Sequence, residues 1–119
     1  MAPPATVPPF MGSEWSPSPR GFAAAIFGAP HGTPYPGIDN KLHRGAPDAF
    51  RMALRGDLDW LSHWDWDIGG PLLKRGQTVC DLGNLKTRPK DGAHNRQLIE
   101  STTRAILDLS LIHISEPTR

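Results

Sequence analysis

The stretch FGAPHGTPYPGIDN, Phe27 to Asn40, gathers His31, Thr33, Tyr35 and Asp39 in a segment punctuated by Pro30, Pro34 and Pro36. Proline restricts φ and glycine supplies turns, so such a loop holds polar groups in fixed positions without a helix or strand beneath them. That suits a binding site. The plainer readings stand beside it: His31 as a loop histidine whose nitrogens stabilise a turn, and Asp39 as an Asx-turn residue closing the loop against Asn40. A second group with chemistry in it is HWDWD. Strand alternation there puts His63, Asp65 and Asp67 on one face and Trp64 with Trp66 on the other. Imidazole and carboxylates at that spacing are metal-ligand types, but a metal needs convergent geometry as well. The plainer reading sends the polar face to water and packs the indoles. Among single residues, Cys80 within an apolar run reads as a small hydrophobe, Arg51 as an exposed or helix-packing arginine, and His94 as solvated surface at a helix start.

These residues need elements to position them. FAAAIFG, after Gly21, reads as a short buried strand whose small side chains allow close approach, although periodicity alone leaves a helix open. GAPDAFRMAL predicts a short helix from about Pro47 to Leu54, with proline in the first turn, Asp48 favourable to the dipole, and Phe50 and Leu54 on one face. Gly69, Gly70 and Pro71 mark a turn after the tryptophan-rich segment. TVCDLGNL predicts a second strand over Thr78–Leu82 running into a loop at Gly83 and Asn84. From Ala93 to Asp108 a stripe of Leu98, Ile99, Thr102, Ala105 and Ile106 predicts the best helix of the chain, with Arg96, Glu100, Thr103 and Arg104 turned elsewhere. Strand, loop, helix repeated twice predicts an α/β fold with parallel strands, in which ligands bind at the carboxyl ends of strands. Both FGAPHGT and CDLGN sit at such ends.

Composition sets the bounds. The 119 residues allow one modest domain or a piece of a larger one, and a net charge of +1 gives no indication of a nucleic-acid partner. Cys80 is the only cysteine, which leaves no internal disulfide and makes a reducing, cytoplasmic compartment the expectation. MAPPATVPPFMGSEWSPSPR lacks the basic start and unbroken apolar core of a signal peptide, and no stretch is long and apolar enough to span a bilayer. The proline density of residues 1–20 predicts an extended, weakly ordered arm, with Phe10, Met11 and Trp15 able to dock.

Taken in order, AIFGAPHGTPYPGIDN, GAPDAFRMAL, DIGGPLL and TVCDLGNL resemble the N-terminal part of the ureohydrolase (arginase and agmatinase) family, agmatinase-like members above all, over roughly Gly21 to Leu107. A GAP loop or a DxG turn alone is weak; the ordered set is far more specific. The resemblance implies a three-layer αβα fold with a mainly parallel sheet, of which residues 21–108 are a truncated part. It implies C–N hydrolysis of a linear amidine, a guanidino compound yielding urea and an amine, with two manganese ions supplying the hydroxide, and a homo-oligomeric parent. It further implies that His31, Thr33 and Asp39 face the substrate, a carboxylate suiting a cationic guanidinium. Asn84 stands where the family often has an acidic residue.

The family draws its metal ligands from GGDH, DAHxD and DxDxxD segments, and none occurs in this sequence. No manganese is therefore expected in this chain, and no catalytic residue is assigned to it. The last residues, LSLIHISEPTR from Leu109 to Arg119, depart from the family and resemble the translation of a transposon-end adapter used in preparing sequencing libraries. The expectation is a native frame ending near Asp108 and a non-native tail over 109–119; without that origin, LSLIHI reads by alternation as a strand. Two alternatives remain beside the agmatinase-like fragment: a small non-catalytic binding or interaction domain, and another amidinohydrolase such as a guanidinobutyrase or an arginase.

Overall fold

Residues 6–32, 36, 40–57 and 60–115 are described by a computed structural model. The apolar run preceding Gly83 forms the middle of its sheet. Three strands, β1 (Glu14–Trp15), β2 (Ala24–Gly28) and β5 (Val79–Asn84), lie in the order β1-β5-β2, all parallel. Strand β5 has a neighbour on each side, so its residues read as one buried run without polar alternation. The buried hydrophobic core residues among those described, Val79, Cys80, Leu82 and Leu85, all lie on or just after it. Strand β2 is an edge and is half-buried over Ala25–Phe27, less than the buried strand expected from FAAAIFG.

The chain is thus a mixed α/β fold with a three-stranded parallel sheet plus helices, as the strand and helix alternation predicts. The helices are α1 (Ala46–Ala53) and α2 (Gly92–Ser115). Pro47 and Asp48 begin α1, and the Leu54 amide closes it on the Phe50 carbonyl at 3.1 Å. Asp91 caps α2 by accepting the His94 amide through Oδ1 at 3.0 Å. Leu98, Ile99, Thr102 and Ile106 are half-buried on the expected stripe, whereas Ala105 is exposed. Between the helices, β3 (Trp64–Asp65) and β4 (Gly70–Pro71) form a small antiparallel hairpin closed by Gly69, whose φ of +71° suits glycine. No helix of the described residues is long and apolar enough to cross a membrane.

Two expectations, for α1 and for LSLIHI, need correction. In the proline-rich arm Phe10 and Trp15 dock, as the sequence allows: Glu14 and Trp15 add a parallel edge to β5 and the Phe10 amide donates to Asp81 Oδ2 at 3.0 Å. Open ladder positions on β5 outweigh local proline content there. The pair Phe50 and Leu54 does not form the buried face of α1: Phe50 is 65% exposed, and the helix turns Arg51 inward instead. LSLIHI does not form a strand, since α2 runs through it to Ser115, where an established helix extends at the cost of one residue per added hydrogen bond.

Candidate functional site

The parallel register sets Gly28, the last residue of β2, against Asn84, the last of β5. A methyl group on Gly28 would come within 2.7 Å of Pro47 Cβ, so glycine here lets α1 approach the strand ends. The loops leaving both strands are then tied together. The Leu85 amide donates to the Gly28 carbonyl at 2.9 Å, and Thr87 Oγ1 donates to the Pro30 carbonyl at 2.8 Å. His31 follows at this junction, as expected for a residue beyond the carboxyl end of a strand.

His31 is held from the far end of the chain. Asn95, fully buried in the first turns of α2, accepts the Arg88 amide through Oδ1 and donates to the Arg88 carbonyl through Nδ2, both at 2.7 Å. Those two bonds fix which way its amide faces. The remaining Nδ2 hydrogen meets His31 Nδ1 at 3.3 Å. An amide nitrogen only donates, so this contact is a hydrogen bond when Nδ1 is the accepting nitrogen of the ring. Beside it the His43 ring lies over Gly32, where an added Cβ would sit 2.8 Å from the imidazole. A cavity of about 340 Å3 opens here, with His31, His43 and the rings of Phe10, Phe27 and Phe50 on its wall.

Arg51 underlies the same cavity, but its charge is consumed. Nε and Nη2 grip Asp81 Oδ2 and Oδ1 at 2.7 and 2.8 Å. Nη1 reaches Asp48 Oδ1 at 3.0 Å and Asn84 Oδ1 at 2.6 Å, and Nη2 reaches the Gly83 carbonyl at 3.4 Å. Every N–H of the guanidinium is used. Its carbon lies 5.4 Å from the centre of the Trp15 ring, a cation–π distance. Arg51 is 2% exposed and Asp81 0%. Burial alone would lower the Arg51 pKa. The hydrogen bonds and charge of Asp81, then those of Asp48, outweigh it and hold the guanidinium above its ordinary value. The arginine read from sequence as exposed or helix-packing is the centre of a buried polar knot joining α1, β1 and β5.

Of the three substrate-side residues expected from sequence, His31 lines the cavity, while Thr33 and Asp39 lie outside the described residues. Asn95 and Asp81 were missed, and Asn84 was noted only as a departure from the family. Asp81 carried a signal, a lone carboxylate inside an apolar strand, which demands a buried cation as partner. Cys80 is a buried thiol pushed above its ordinary pKa, first by burial and also by the Asp81 charge, against its own backbone hydrogen bond. It is not a poised nucleophile. His63, Asp65 and Asp67 do not converge on a metal, and no group of three or more His, Cys, Asp or Glu side chains does so among the described residues. The cavity can therefore hold a ligand between aromatic faces and imidazole nitrogens, and its described wall carries no carboxylate. Comparison with protein-family models, curated proteins and solved structures finds no match for this chain.

Proposed function

We propose that this chain is the N-terminal part of a manganese-dependent ureohydrolase, agmatinase-like in kind, whose parent hydrolyses a guanidino compound to urea and an amine. The observation that carries the reading is order: the GAPHG and DLGN segments of the resemblance lie at the ends of two adjacent parallel strands, with His31 beside a cavity. On this reading the sheet is part of a three-layer αβα fold, the parent is a cytoplasmic homo-oligomer, and residues 109–119 are a non-native tail. His31 contributes to the rim, oriented by Asn95. The resemblance also assigns Thr33 and Asp39 to the substrate side, a carboxylate being what a guanidinium requires.

The described residues do not fit a pair of manganese ions, because no set of ligand side chains converges among them. No catalytic step is assigned to this chain. The test is urea release from agmatine, guanidinobutyrate and arginine in the presence of manganese. The 119-residue chain is expected to release none, and the product of the full coding sequence to release it from one of the three. Urea from the isolated chain, or an inert full-length product, overturns the proposal.

A further inference from the structure

The Trp64 and Trp66 rings meet edge to face, with centroids 5.9 Å apart and planes at 64°. Neither is packed away as the sequence reading expects: Trp64 is 50% exposed and Trp66 86%. The turn after β3 brings the intervening acids to the same side. Asp65 Oδ1 accepts the Asp67 amide at 2.8 Å, and a cleft of about 380 Å3 is lined by His63, Trp64, Asp65, Trp66, Asp67 and Leu72. Leu72 and the adjacent Ile68 are also exposed. Asp65 and Asp67 form no ion pair among the described residues. Two indoles and two carboxylates therefore line a space in which no cation of the described residues pairs with Asp65 or Asp67.

The same molecule displays what such a set accepts. At the buried knot an indole face and carboxylates enclose a guanidinium, with Trp15 stacked on Arg51 while Asp81 and Asp48 take its N–H groups. We propose that the β3–β4 hairpin is a docking surface for a basic segment of a partner protein, which inserts an arginine side chain between the indoles and the Asp65 and Asp67 carboxylates. Charge complementarity selects the cation, the indole face favours a planar guanidinium over a compact ammonium, and Ile68 and Leu72 offer apolar contact to the flanking residues. The inference is independent of the ureohydrolase reading, since it uses none of the residues at the strand ends.

The test titrates three short peptides into the full chain, identical except for a central arginine, citrulline or lysine, and follows the indole N–H resonances of the four tryptophans. Citrulline keeps the shape of arginine and removes its charge. The arginine peptide is expected to give saturable shifts at Trp64 and Trp66, with binding about fivefold tighter than the citrulline peptide and tighter than the lysine peptide. Trp66→Ala should weaken it about fivefold, Trp66→Phe should keep most of it, and Asp67→Asn should weaken it and reduce its salt dependence. Equal binding of arginine and citrulline peptides, or shifts confined to Trp15, overturns the proposal. So does self-association of the chain in sedimentation that Trp66→Ala abolishes, since a second copy would then be the occupant.

Discussion

The buried knot around Arg51 and the hairpin around Trp66 are built from the same side-chain types and differ in what completes them. Each combines indole with carboxylate. At the knot the cation is the chain's own, taken from α1, and it ties that helix to the central strand of the sheet. At the hairpin both indoles and Asp67 are exposed, and no cation of the described residues pairs with Asp65 or Asp67. One arrangement is spent on the fold and the other is left over. The first should therefore be very sensitive to substitution in stability, and the second almost indifferent.

The largest expected effect is at the knot. Arg51→Met leaves Asp81 charged, buried and without its partner, and should cost about 3–5 kcal/mol in urea unfolding. Arg51→Met combined with Asp81→Leu should recover much of that loss, because apolar replacement of a whole buried pair removes the stranded charge. Gly28→Ala comes next. Its new Cβ collides with Pro47 and the Asn84 side chain, and overpacking of this kind costs about 1–3 kcal/mol by the same measurement. The pH dependence is smaller still. Because folding raises the Cys80 pKa, the stabilisation tied to its neutral thiol is complete below the ordinary thiol value of the unfolded chain and is lost as pH rises through the folded one. Unfolding followed upward from neutral pH should show that decline, and Cys80→Ala should flatten it. At the bottom of the scale, Trp66→Ala and Asp67→Asn should shift stability by about 0.5 kcal/mol or less. A loss at Trp66 comparable to that at Arg51 would erase the distinction between the two regions.

Some of this was legible in the sequence because the signals are local. The runs FAAAIFG and TVCDLGNL announce strands through apolar content bounded by glycine, and the Leu98, Ile99, Thr102, Ile106 stripe announces a helix. Parallel pairing followed from the helices between them. What stayed hidden depends on partners distant in sequence. Arg51 meets Asp81 across 30 residues and His31 meets Asn95 across 64, separations that no window of periodicity spans. Trp15 reads as part of an arm until β5 offers it an edge. At the site, His31 was named for its place after a strand, whereas the Asn95 amide that contacts its ring was not. HWDWD misleads in the opposite sense, since a strict alternation seats the indoles in a core, yet β3 ends at Asp65 and its turn carries Trp66 out into solvent.

The functional reading rests on the chain being one part of a larger hydrolase, and the coding DNA beyond codon 108 tests that most directly. The account predicts that the source DNA continues in frame after Asp108 with codons for GGDH, DAHxD and DxDxxD segments, and without LSLIHISEPTR. A source sequence that encodes LSLIHISEPTR followed by a native stop codon would contradict it.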